Sequence, residues 1–279
     1  MEQFYAGVSD NQQAKEVYAS GAVPVFALKN CSLSGLDEIE ADAIDTALPY
    51  GVLMNRIFRE EELPLIADTL SILKQRLPEC IYFADPAVFA ACDDTLRSRL
   101  VYRPETLMTN REDLKFWRAA GIQRVTVSPL LTAEELYLEA EADAGAEFVI
   151  HGHLLMSVSA RRLITSWAEQ YGIDIPENMP LFLREETRSE HYPVKETGFG
   201  TMIFTDYVLE SFDYIRALSA HGAESFYLDG SFLKTKDLTD ALCLYRKLLS
   251  GECGTDSAED YRASHPECRE GYYGQETIL

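Results

Sequence analysis

Short runs of β-branched and aromatic residues recur eight times along this chain, separated by stretches whose apolar side chains fall at helical spacing. That alternation is the strongest constraint on the fold, because strand, helix and strand in succession build parallel sheet covered by helices. The runs are residues 4–8, 24–28, 51–56, 80–84, 100–103, 124–128, 147–151 and 225–229. Helical periodicity falls on 10–20, 60–77, 87–98, 111–120 and 132–144. Asn110 before Arg-Glu-Asp and Thr132 before Ala-Glu-Glu mark two helix starts, each a capping side chain followed by acids where the helix dipole favours them. Right-handed crossovers close eight such repeats most simply into an α/β, TIM-like (β/α)8 barrel, with binding groups on the loops after the strand C-termini. A doubly wound open sheet is the alternative. Its nucleotide-binding versions lack support, since neither G-x-G-x-x-G after the first strand nor G-x-x-x-x-G-K-[ST] occurs.

After the seventh strand the rhythm breaks until 205–222, which reads as a helix before the eighth strand. The barrel domain is therefore expected over 1–249 with an insertion at 152–206. The insertion carries a helix near 161–171, a Pro-bearing loop, and a hairpin turning at Gly198-Phe199-Gly200. Residues 250–279 form a polar, Gly-rich tail, and Tyr272 with Tyr273 favours docking over a loose end.

With 279 residues, 47% of them hydrophobic, the chain can bury a large core without staples. The six cysteines never form C-x-x-C and have no His at zinc-like spacing, so they read as reduced, mostly buried thiols. No apolar run approaches the ~20 residues that cross a bilayer, and the acidic N-terminus lacks a signal peptide's basic start. No membrane association and a cytoplasmic location are expected. The formal charge of -21 opposes direct binding of nucleic acid, whose phosphates are held by Lys and Arg.

The residues following the strands share one rim in a barrel. They are Asn55 with Arg56, Asp85, Arg103 with Thr106 and Asn110, Ser128, His151 with His153, and Asp229. His151, Asp85 and Asp229 are the candidate catalytic bases; Asn55, Arg56, Arg103, Asn110 and His153 are candidate ligand-binding groups for a small anion or a polarised carbonyl. Each has a structural alternative. Asp85 before Pro86 and Asp229 before Gly230 suit turns or caps, Asn55 and Arg56 can pair locally, and His151 can be a hydrogen-bonded core histidine. Two His without a third ligand make a poor zinc site, so no metal is assigned, and the absence of G-x-S-x-G argues against a serine hydrolase.

Several stretches together resemble the peptidase U32 family, whose members include collagenase-like peptidases and RNA-modifying proteins. "FADPAVF" (83–89) is similar to its Asp-Pro-Gly stretch, "RPETLMTN" (103–110) to Ser-Thr-Gln-x-x-x-x-Asn, and "FVIHGHLLMS" (148–157) to His-Gly-Ala-Leu-Cys. "HYPVKETGFGTMIFTDYVL" (191–209) resembles Tyr-Pro-Val-x-Glu-Asp-x-x-Gly-Thr-x-x-Phe, and "FYLDGSF" (226–232) resembles Lys-x-Glu-Gly-Arg. The five occur in family order. In several members cysteines after His-Gly begin an iron-sulfur site; here Leu155 and Arg162 stand at the first two of those positions, so no cofactor is implied. Ser128-Pro129-Leu130 replaces the family's Ala-Arg-Glu, and Ser231 stands where its Arg would be. The ending "HPECREGYYG" (265–274) is similar to that of a short, cysteine-poor branch.

That resemblance implies a link to prephenate-dependent 5-hydroxylation of wobble uridine in tRNA, as the cluster-less partner of a longer, cysteine-bearing paralogue. tRNA would then be held only indirectly, and a small carboxylate ligand would sit at Arg56, Arg103 and His151. A collagenase-like peptidase and a catalytically degenerate scaffold are the alternatives. In the family the hairpin approaches the mouth, which adds Glu196 and Thr201 to the candidate ligand-binding residues.

Overall fold

The computed structural model describes residues 2–104, 108–176, 179–187 and 189–275. In chain order its first strands are β1 (Gln3–Val8), β2 (Val23–Leu28), the two-residue β3 (Glu38–Ile39), β4 (Gly51–Met54), β5 (Cys80–Phe83), β6 (Leu100–Tyr102), β7 (Arg124–Val127) and β8 (Ala146–Gly152). Then come β9 (Leu155–Ser159), β10 (Leu181–Leu183), β11 (Tyr192–Thr197), β12 (Gly200–Phe204), β13 (Val208–Glu210), β14 (Ser225–Leu228) and β15 (Cys268–Arg269). The helices are α1 (Asn11–Ser20), α2 (Leu63–Arg76), α3 (Pro86–Ala91), α4 (Asp94–Arg97), α5 (Arg111–Ala119), α6 (Ala133–Ala142), α7 (Leu163–Tyr171), α8 (Ile215–Ala220), α9 (Thr235–Ser250) and α10 (Asp256–Ser264).

Strands β1, β2, β4, β5, β6, β7, β8 and β14 pair in that order, all in parallel, and β14 returns to β1. The sheet is therefore a closed barrel and not an open doubly wound one. Alternate residues divide between two packed sets, as the pleat requires. Tyr5, Val25, Ala27, Leu53, Tyr82, Val101 and Tyr227 fill the interior. Phe4, Phe26, Val52, Ile81, Phe83, Phe148 and Phe226 face outward and pack with helix residues such as Val17, Leu70, Leu136 and Leu242.

The interior also holds a polar floor. Glu147 is fully buried; its carboxylate accepts from the hydroxyls of Tyr82, Thr126 and Ser225 and lies 2.8 Å from Arg124 Nε. The Arg124 guanidinium in turn lies 3.8 Å over the Tyr5 ring.

Most expected helices form where the periodicity places them, with local chemistry setting their ends. Asp10 caps α1, and Thr132 with Glu135 makes a reciprocal cap on α6. The stretch 87–98 is two helices, because Asp93 accepts from the Leu96 amide and starts a second one. The stretch 205–222 is helical only from Ile215. Its first part is β13, whose Leu209 and Glu210 pair antiparallel with Gly152 and His151 of β8.

The insertion is more ordered than one helix and a hairpin. Strands β10, β11, β12 and β9 form an antiparallel sheet in that order, with α7 against β12. Lys195 Nζ ties it to the loop after β2 through Leu36 O at 2.6 Å and Asp37 at 2.9 Å. Beyond α9, β15 pairs parallel with β13, Arg262 reaches Glu210 and Asp213, and Tyr273, 3% exposed, donates to Val149 O. Among the described residues no helix is long and apolar enough to cross a membrane. All six cysteines are free thiols; burial pushes those of Cys31, Cys80 and Cys92 up to about 11.

Candidate functional site

The C-terminal ends of the barrel strands surround a small cavity of about 90 Å³ whose polar lining includes Arg103, Thr126, Ser128, His153 and Asp229. Arg103 follows β6 and Asp229 follows β14, and their charges meet across the mouth, Nη2 to Oδ2 at 3.5 Å. The guanidinium also lies 4.0 Å over Tyr227, while Asp229 Oδ1 accepts from the Ser231 amide. Their mutual attraction reduces the cost of burying each charge.

His153 approaches the same cavity from the turn after β8. Its Nδ1 lies 2.7 Å from Thr205 O, and a carbonyl only accepts, so Nδ1 carries the proton. Burial lowers its pKa, more than the Thr205 hydrogen bond and the nearby Asp229 and Glu267 raise it, which favours the neutral ring, in which Nε2 is an acceptor. Phe232 stands edge-on to the imidazole at 5.8 Å.

A larger cleft of about 520 Å³ shares Leu33 and Pro104 with the cavity and runs beneath the β11–β12 turn, past Asn55, Arg56, Arg59, Tyr102, Val158 and Phe199. That volume falls in the range of sites for small molecules, roughly 300–1,000 Å³, whereas the inner cavity is far smaller. Arg56 on its wall is engaged on every side. It makes a two-pronged pair with Glu62 at 2.8 and 3.0 Å, donates Nε to Asn30 O, and lies between the rings of Phe58 and Phe199 at 4.4 and 4.6 Å. That hydrogen bond from Arg56 holds the Glu62 carboxyl below its ordinary range. Asn55 bonds both the amide and the carbonyl of Leu33, fixing the loop above the mouth.

Asp85 caps α3 through Ala87 N and also accepts from Phe58 N, both at 2.8 Å. Asn110 is exposed, caps α5 and lines neither cavity. Glu196 accepts from the Ile164 and Thr165 amides, and the Thr201 hydroxyl, which accepts from Leu163 N, has its single proton within reach of both Glu196 and Arg161 O at 2.9 Å. This pair therefore anchors the first turn of α7 to the insertion sheet. Thr106 lies outside the described residues.

His151 is the main correction to the expected rim. Between β8 and β14 the register shifts, so that Tyr227 faces Val149 but Leu228 faces His151. One extra residue in β8 reverses which face follows, as a bulge does. Val149 lines the mouth cavity, while the His151 ring is 1% exposed among Tyr245, Phe212 and Tyr261. Burial first, then His265 and His153, push its pKa down to about 3.

Thr205, Phe199, Phe232 and Tyr227 complete the mouth and had no sequence signal as site residues. Phe232 carries one clue after the fact, a left-handed φ of 62° that is rare for an aromatic residue. The interior pair Arg124 and Glu147 had a faint signal, charges in otherwise apolar strand runs.

The donor set does not fit an iron-sulfur cluster. Leu155 opens β9 and Arg162 precedes α7, and neither a hydrocarbon nor a guanidinium binds iron. Among the described residues no three His, Cys, Asp or Glu side chains converge as a metal site.

The family model described as Peptidase family U32 matches residues 11–277. A curated relative, tRNA hydroxylation protein P2 of Bacillus subtilis (strain 168), is 25% identical over 219 residues, 76% of this chain and 70% of that one. Among solved structures, a U32 peptidase superposes with a TM-score of 0.50 at 15% identity, covering 82% of this chain and 92% of the other, a likeness of fold.

Proposed function

The chain belongs to peptidase family U32, and from that membership we propose that it is a cluster-less partner subunit in tRNA uridine 5-hydroxylation, acting with a longer cysteine-bearing paralogue in the cytoplasm. The observation that carries the reading is the state of the mouth. Its cation and carboxylate, Arg103 and Asp229, face one another beside a cavity of about 90 Å³, and Arg56 is committed to Glu62. Such a rim supports binding or assembly better than attack on a macromolecular substrate. The similarity to a tRNA hydroxylation protein supports the pathway.

At a net charge of -21 the chain is expected to leave tRNA unshifted in a gel at physiological salt, the phosphates being held by the paralogue. A small carboxylate is the ligand the larger cleft suits, with exposed Arg59 on its wall and the Tyr102 and Phe199 rings beside it. The test is mass spectrometry of tRNA nucleosides from a deletion strain, together with co-purification of the two proteins. Loss of 5-hydroxyuridine with recovery of the paralogue is expected. Unchanged hydroxyuridine overturns the reading, and cleavage of gelatin by the purified chain favours hydrolysis instead.

A further inference from the structure

Helix α7 leaves its largest apolar residues off its packing face. Leu163, Trp167 and Tyr171 recur every four residues, which puts them on one stripe, and they are 45%, 50% and 63% exposed. The packed face begins beside Tyr171, where Ile164 is half-buried and Ala168 buried, and continues round to half-buried Thr165. Ile173, just past the helix end, is also exposed, at 44%. Gly172 takes φ 64° and lets the Ile173 amide return to Ala168 O at 2.9 Å, so the chain folds back on the helix end.

The stripe is rigidly mounted. The Glu196 carboxylate accepts from two amides of the first turn, and Thr201 accepts from a third. The sheet that supplies both residues leans over the mouth, with Val158 and Phe199 in the larger cleft. Whatever covers α7 therefore sits beside the opening of the barrel.

We propose that the Leu163–Trp167–Tyr171 stripe, with Ile173 just past the helix end, is the surface by which this chain docks into an apolar, basic-rimmed groove on its partner subunit. The inference rests on the partner reading above and names where on the chain the partner binds. Helix-in-groove recognition uses apolar anchors at this spacing, and Trp and Tyr are the side chains that most often carry such interfaces.

A second copy of the chain is the poorer occupant on two grounds. The exposed parts of the four side chains offer on the order of 400 Å², so two stripes laid together bury roughly 800 Å², short of the ~1,200 Å² of a stable interface. Two chains of charge -21 also repel. A groove also covers the exposed flank of the helix that carries Gln170, Ser166 and Glu169, which adds the missing area, and basic residues on its rim meet Glu169 and Asp174, both exposed.

The experiment is capture of the purified longer paralogue by the full-length chain, comparing wild type, the double variant Trp167→Ala/Tyr171→Ala, and Phe116→Ala as an equally exposed control on α5. Unchanged far-UV circular dichroism and melting temperature show that the variants fold. We expect the double variant to weaken capture by about tenfold or more and the control to match wild type. Equal capture by the double variant overturns this docking surface and leaves the partner reading standing. Failure of the wild type to capture the paralogue overturns both. A wild-type dimer that the double variant dissolves, seen by light scattering, overturns the assignment of the stripe to the partner.

Discussion

Arg124 and Glu147 show how much one pair of residues can hold inside a barrel. Removing one member leaves the other a buried charge without its partner, which typically costs about 3–5 kcal/mol. Arg124→Met is therefore expected to lower stability to urea by that order, and the double change Arg124→Met/Glu147→Leu to recover much of the loss. A single-variant cost below ~1 kcal/mol would contradict the burial described. His151 makes a second prediction, with its sign set by a folded pKa of about 3 against an ordinary value near 6.5. The unfolded chain binds the proton more readily between those values, so the stability that neutral His151 contributes is complete above pH 6.5 and falls as pH drops toward 3. Relative to wild type, His151→Phe should show a shallower loss of stability between pH 6.5 and 5 in chemical denaturation; parallel curves would refute it. At this scale the sequence was only half legible. Asp85 and Asn110 were visible as caps as well as ligands, and the structure shows capping bonds for both. The partner of Arg56, six residues away at Glu62, and the side to which His151 turns depend on loop path and bulge, which periodicity does not encode.

Among the elements, the barrel strands and most of the helices could be read directly, because strands buried on both faces are continuous apolar runs and the helices between them carry caps and stripes. The strands β9 and β10 were not seen. Met156, Ser157 and Val158 are exposed in β9, as are Phe182 and Leu183 in β10, so no alternation marks a core face. The β11–β12 hairpin was legible from its Gly-bracketed turn, whereas β13 hid in a stretch whose aromatic spacing also suits a helix. Helix α7 depends on the sheet for its first turn. Glu196→Ala should release the amides of Ile164 and Thr165, and their hydrogen exchange should rise by roughly tenfold, equivalent to the ~1–2 kcal/mol a helix cap contributes. Unchanged exchange at those two amides would show that packing alone holds the helix.

For the molecule as a whole, closure is completed by residues remote in sequence. The tail places Tyr273 beneath α6, accepting the Ala133 amide at its carbonyl and donating its hydroxyl to Val149 O, with its ring 5.2 Å from Tyr214. Tyr273→Ala should cost about 3 kcal/mol and lower the melting temperature measurably, since it empties an aromatic-sized site and strands a strand carbonyl. Wild-type melting of that variant would mean the tail adds nothing to the barrel. The docking was foreshadowed by two consecutive tyrosines, although only Tyr273 is buried. The slip in β8 has a practical corollary for anyone wishing to rearm this protein. A new side chain introduced at position 149 would greet whatever enters the barrel, whereas one at 151 would be noticed chiefly by the aromatic nest behind the wall, so a designer counting by twos from Glu147 would furnish the wrong room.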